Sequence, residues 1–146
     1  MNSTIEEELQ KHGKHLDIVV GNSMQPLLRV RQDQVVLTKL EKPLKKYDVV
    51  LYKRPNGQYV LHRIVKIKKD HYIINGDNRY HLETVPKDWV IALMEGFYRC
   101  DKYYTRNSLP YKLYITLWCR PLTIRRFLLY LRQKLKQKLK QKRKNR

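Results

Sequence analysis

Cysteine is scarce in this 146-residue chain: Cys100 and Cys119 are the only two, with no CxxC pair and no metal-ligand spacing around them. That excludes a disulfide framework and a zinc site, and no metal or other cofactor is expected. The N-terminus, MNSTIEEELQKHGKH, lacks the positive start and apolar run of a secretory signal. Long hydrophobic runs are missing too. The most apolar stretch, Leu109 to Leu131, is interrupted by Lys112, Arg120, Arg125 and Arg126, too many charges for a spanning helix. The expectation from these absences is a cytoplasmic chain, peripheral on the inner leaflet if it meets a membrane at all.

Acidic residues are absent from Arg120 to Arg146, where twelve of the 32 Lys and Arg lie; setting those twelve aside takes the net charge from +19 to +7. The basic character is therefore mainly a property of the tail. No internal repeat is present.

What remains is rich in short β-forming runs: Leu16 to Val20, Gln34 to Leu40, Asp48 to Lys53, Gln58 to Lys68, Tyr72 to Asn75 and Trp89 to Met94. Each is dense in Val, Ile, Leu and Tyr and is bounded by turn residues such as Pro55-Asn56-Gly57 or Asn75-Gly76-Asp77. Tyr52 and Tyr59 flank Arg54-Pro55-Asn56-Gly57, which predicts a hairpin. Many short strands without intervening helices predict a mainly β fold, a small antiparallel meander coiled into a barrel. A polar helix is expected near the N-terminus, ending at Gly13. Past Pro110, Ile124, Phe127, Leu128, Leu131, Leu135 and Leu139 recur three or four residues apart among Lys and Arg, predicting a basic amphipathic helix that frays toward Arg146. The organisation read here is a polar segment over 1–15, a β domain over 16–109 and a helical tail over 110–146.

Chemistry concentrates in three stretches. The first is GNSMQPLL, Gly21 to Leu28, which follows the apolar run LDIVV and presents the Ser23 hydroxyl at the lip of a sheet. Serine is a weak nucleophile at its own pKa and needs a base. The second, YVLHRIVKI, holds His62 on one strand face with Val60 and Ile64, where partial burial favours the neutral imidazole that accepts a proton near pH 7. The third, INGDNRYHLE, supplies Asp77 and Glu83, either of which can take the second imidazole N–H and set the tautomer. Singly, each has an ordinary reading as a turn or packing residue; the combination is what points to catalysis.

In that order, and over roughly Ile18 to Phe97, the series GNSMQPLL, YDVVLYKR, LHRIV and INGDN closely resembles the signal peptidase-like serine peptidases. The resemblance implies that Ser23 is the nucleophile. It places His62 where bacterial signal peptidases and LexA-type proteins have a lysine base, as in the endoplasmic-reticulum and archaeal type. It implies an acid a few residues beyond the GDN box, matched by Glu83, with Asp77 of the box as the other candidate. Glu83 ranks first for orienting His62, and Asp77 for shaping the site. Those peptidases normally carry a membrane-spanning helix just before the serine, whereas the segment here is polar, so substrate is not expected to meet the site on the far side of a membrane.

The Ser23 N–H, with the Asn22 side chain, is expected to hold the oxyanion, and Met24 and Pro26 to position the loop and substrate. The implied activity is endopeptidase cleavage of a precursor or leader peptide held by main-chain hydrogen bonds along a strand edge. The alternatives are an inactive β domain that binds a membrane surface or partner, and a self-cleaving LexA-type regulator. For the tail, Arg125, Arg126, Phe127, Leu128, Leu131 and Arg132 are the expected contacts with an anionic membrane or a partner protein. Nucleic acid is not the expected partner, because aromatic residues do not interleave with the cations from Lys134 onward.

Overall fold

The computed structural model describes residues 4–144. The chain begins with helix α1 (Ile5–His12), started by a reciprocal cap in which the Thr4 hydroxyl accepts from the Glu7 N–H at 3.2 Å and the Glu7 carboxylate accepts from the Thr4 N–H at 3.1 Å. Three acids in its first turn suit the helix dipole, and Gly13, at φ 73°, ends it. The little apolar surface this helix offers is buried: Leu9 sits in the core and Ile5 packs against it.

Eight strands follow, in one antiparallel sheet: β1 (Lys14–Ile18), β2 (Asp33–Thr38), β3 (Val49–Lys53), β4 (Tyr59–Ile67), β5 (His71–Asn75), β6 (Glu83–Pro86), β7 (Val90–Arg99) and β8 (Lys102–Thr105). Their order is β1-β2-β7-β3-β4-β5-β6, with β8 beside β7. Ten-residue β7 organises the sheet. One edge takes β2; the other takes β3 at Val90–Leu93 and β8 at Gly96–Arg99.

The fold is mainly β with a C-terminal helix, but the sheet does not close into the expected barrel. Among the described residues, β1 at one end pairs only with β2 and four-residue β6 at the other only with β5. The hairpin around Gly57 forms as its turn residues dictate: the Arg54 N–H donates to the Gln58 carbonyl at 2.9 Å, and Gly57 takes φ 83°. Two strands lie outside the predicted runs. Glu83–Pro86 is too short and polar to stand out, and Lys102–Thr105 folds back onto β7 after a tight turn at Cys100, φ 52°. That turn also carries β7 to Arg99, past its predicted end at Met94.

Alternation along β3 and β4 serves two apolar clusters, one on each face. Val49 and Leu51 join Leu9, Met24, Leu28, Leu37 and Met94; Val50 and Tyr52 join Ile64, Tyr72, Ile74 and Val85.

After β8 come helix α2 (Leu109–Tyr114), a π-helical turn (Ile115–Cys119) and helix α3 (Leu122–Lys144). Among the described residues no helix is long and apolar enough to cross a membrane. The fraying predicted at Arg146 lies outside the described residues. Both cysteines are free, and burial pushes the Cys119 thiol up to about 12.

Two tail residues face inward, against expectation. Arg125 is buried at 1% exposure, bonded through Nη2 to the Asn75 carboxamide oxygen, with Nη1 3.6 Å from Asp77. Arg126 donates from Nε to the Tyr80 carbonyl at 2.6 Å. Neither belongs to an outward contact surface. With Leu129 they are the side of α3 that packs on the domain, because the sheet offers the carbonyl and carboxylate oxygens that a guanidinium needs when it leaves water. Phe127, Leu128, Leu131 and Arg132 do face outward.

Candidate active site

Ser23 lies in the loop between β1 and β2, which is held from several sides. Met24, at 2% exposure, plugs into the core beneath it. The Leu28 N–H donates to the Met24 carbonyl at 3.0 Å and the Gln25 N–H to the Asn22 carbonyl at 3.3 Å, so the loop turns tightly; the Gln25–Pro26 peptide is cis. Downstream, buried Asp33 anchors the return: Arg99 donates to its carboxylate at 2.7 Å and to the Leu27 carbonyl at 2.7 Å, and the Arg29 N–H donates to it at 2.9 Å. These bonds and those of Arg29 hold the Asp33 carboxyl below its usual range although burial alone would raise it.

The loop after β5 grips the other side. The Asn78 N–H donates to the Ser23 carbonyl at 2.8 Å, and the Asn78 carboxamide donates to the Asn22 carbonyl at 3.1 Å. Arg79 donates to Asn22 Oδ1 at 3.0 Å, which fixes the Asn22 carboxamide and leaves its Nδ2 as the end able to donate.

His62 sits on β4 opposite Val50 of β3. It and Ser23 line the same cleft, about 510 Å³, walled by Asp17–Val20 on one side and by residues 58–62 of the β4 hairpin arm on the other. The tightest measure of their convergence is Gly76. A methyl carbon placed there would lie 2.9 Å from the Ser23 carbonyl oxygen and 3.1 Å from His62 Nε2. Glycine lets the Ser23 and His62 segments close on this loop. Among the described residues no hydrogen bond joins the Ser23 hydroxyl to His62 itself.

Glu83 reaches His62 through Tyr52, a residue that the strand pattern did not single out. Tyr52 Oη is 3.3 Å from His62 Nδ1 and donates to Glu83 Oε2 at 2.6 Å. Burial alone would raise the Glu83 carboxyl, but hydrogen bonds from Arg54, at 2.8 and 3.0 Å, and from Tyr52 outweigh it and hold the group below its ordinary value. An ionised Glu83 can only accept, so the phenol proton points to it. Tyr52 Oη must then accept from His62 Nδ1–H, and the lone pair falls on Nε2, facing Gly76 and the cleft. Burial, reinforced by Glu83, pushes the Tyr52 phenol up and keeps that proton in place. The signal available beforehand was the hairpin register: Tyr52 pairs with Val60, diagonal to His62 on the same face.

No protein-family model matches the sequence, and no curated protein matches it.

The Asp77 carboxylate is turned to Arg63 and Tyr114, and among the described residues no hydrogen bond joins it to His62. It is fully buried, with Arg63 Nε at 2.8 Å from Oδ1, Arg63 Nη2 at 2.7 Å from Oδ2, and the Tyr114 hydroxyl donating to Oδ2 at 2.9 Å. Trp118 donates to its carbonyl at 3.1 Å, and Arg63 also reaches the Tyr47 carbonyl at 2.8 Å and the Tyr111 hydroxyl at 3.1 Å. Asp77 thus ties the loop carrying Gly76 to β4 and to the helices. Pro26, expected to position substrate, is exposed and does not line the cleft. Burial holds His62 neutral, its pKa pushed down to about 4 against the pull of Glu83.

Proposed function

We propose that this protein is a serine endopeptidase of the signal peptidase-like type, in which Ser23 acylates and His62, oriented by Tyr52 on Glu83, moves the proton. The observation that carries the reading is the convergence of the Ser23 loop and the unprotonated His62 Nε2 on Gly76 in one cleft. A buried tautomer with its lone pair turned toward a serine-bearing loop is what a general base requires, and packing alone does not call for it. The order of the Ser-Met-x-Pro, His-Arg and Gly-Asp-Asn boxes supports the same reading.

The chemistry follows from these groups. Ser23 Oγ attacks the scissile carbonyl as His62 Nε2 takes its proton; Tyr52 and Glu83 stabilise the imidazolium through Nδ1–H. The oxyanion is met by the Ser23 N–H and Asn22 Nδ2. His62 gives the proton to the leaving amine, which departs and leaves an ester on Ser23; water, deprotonated by the same nitrogen, hydrolyses it. Residues 59–62 of β4 pair with β3 on one side only, since β5 begins its pairing at Arg63, and β1 likewise has one partner. An extended peptide between these two stretches gains main-chain bonds from both.

The test is covalent labelling of the full chain with a fluorophosphonate acylating probe and peptide mapping of the adduct. Labelling at Ser23 that is lost in Ser23→Ala and slowed in His62→Ala supports the proposal. Labelling that persists in Ser23→Ala, or never appears in folded wild type, removes it.

A further inference from the structure

The surface of α3 that faces away from the domain has chemistry of its own. Ile124, Phe127, Leu128, Leu131, Leu135 and Leu139 stay between 40% and 63% exposed. Their three- and four-residue steps keep them on one stripe of a helix that runs about 24 Å from first to last. The register is set by the core: Arg125 on Asn75, Arg126 on the Tyr80 carbonyl, and the Tyr130 ring 5.6 Å from Tyr80 hold the opposite side inward. A second exposed row, Leu109, Leu113 and Leu117, lies on the preceding helical segment, at 51–74% exposure.

Cations accompany the stripe along its length. Helix α3 carries ten Lys and Arg and no acid, and every residue from Tyr130 to Lys144 is exposed. Three occupants compete for such a surface. A second copy would bring two such strongly cationic helices together, which Coulomb repulsion opposes. Nucleic acid would answer the cations but give the central leucines nothing to bury against. An anionic bilayer surface answers both, since acyl chains take the stripe and headgroup phosphates take the flanking Lys and Arg.

We infer that α3 is a peripheral anchor lying along an anionic lipid surface, its apolar stripe inserted at the headgroup boundary. The inference stands apart from the peptidase reading, and the Ser23→Ala protein binds equally.

The experiment uses the full chain with vesicles of phosphatidylcholine alone and of phosphatidylcholine with phosphatidylglycerol, scored by co-sedimentation. Two variants keep every charge: Phe127→Ser/Leu131→Ser, and Leu135→Ser/Leu139→Ser, the latter on the part of α3 that is exposed throughout. A third, Lys134→Gln/Lys136→Gln/Lys138→Gln/Lys140→Gln, keeps the stripe. The expected result is binding to the anionic vesicles only, weakened roughly tenfold or more in each variant. Four results would overturn the inference: no vesicle binding by wild type, equal binding to neutral vesicles, wild-type binding by both serine variants, or a wild-type dimer in sedimentation velocity that the serine variants convert to monomer.

Discussion

Placing one methyl group at Gly76 tests the site directly. The Gly76→Ala carbon would sit 2.9 Å from the Ser23 carbonyl oxygen, 2.9 Å from Arg79 Cγ and 3.1 Å from His62 Nε2. Arg79 is exposed and its stem can swing away, but the Ser23 carbonyl is main chain and is held by the Asn78 N–H at 2.8 Å. Gly76 is outside the left-handed region, so backbone strain adds nothing and the effect is steric. Overpacking of this kind costs about 1–3 kcal/mol. For a domain of this size that lowers Tm by roughly 2–12 °C, short of unfolding it. The methyl must also push the serine loop and the imidazole apart, and a displacement near 1 Å at reacting groups costs about 10²-fold in rate. The assay is the rate of fluorophosphonate acylation of Ser23, with thermal denaturation by circular dichroism alongside. A Gly76→Ala protein that acylates at the wild-type rate would refute the claim that the Ser23 loop and His62 meet over this glycine.

Tyr52→Phe removes the acceptor for His62 Nδ1–H while keeping the ring that fills the core; acylation is expected to fall about 10²-fold with near-native Tm, and an unchanged rate would show that Glu83 acts without the phenol. With His62 near 4, the acidic limb of acylation is expected near pH 4, where an unperturbed histidine would put it near 6.5; a limb at 6.5 in a pH–rate profile contradicts its burial. Because the folded His62 value lies below the unfolded one, its stabilisation is complete above about pH 6.5 and is lost as pH falls toward 4, up to about 3 kcal/mol. Urea titrations of wild type and His62→Gln across that window check it: the difference between them should narrow in acid. Arg63→Met leaves the buried Asp77 carboxylate without its bidentate partner and is expected to cost about 3–5 kcal/mol in urea denaturation, whereas a loss under 1 kcal/mol would mean that Arg125 and Tyr114 suffice.

The two groups proposed to react were legible because each is local. Ser23 follows an apolar run in a Gly-Asn-Ser turn, and His62 alternates with Val60 and Ile64 along β4. The relay between His62 and Glu83 was not, since Tyr52 reads as one aromatic strand residue among eleven tyrosines. It joins the site only when β3 pairs with β4 and Glu83, at the start of β6 on the far side of β5, reaches back to the Tyr52 hydroxyl. Asp77 and Glu83 could not be told apart six residues from each other in sequence. Their difference lies in what folds against them: Arg63, Tyr114 and Trp118 enclose Asp77, while Arg54 and Tyr52 meet Glu83 beside His62.

Periodicity and turn residues determined by themselves that this chain makes short antiparallel strands, a serine-bearing loop and a basic amphipathic helix, because those properties depend on neighbours within a few residues. The tertiary structure alone decided that the sheet stays open, that Arg125 turns inward to Asn75, and that Gly76 is the point where two distant segments close. Those outcomes depend on strand register and helix docking across tens of residues, where a buried charge must find its counter-group and a backbone must find room, and no local pattern encodes either.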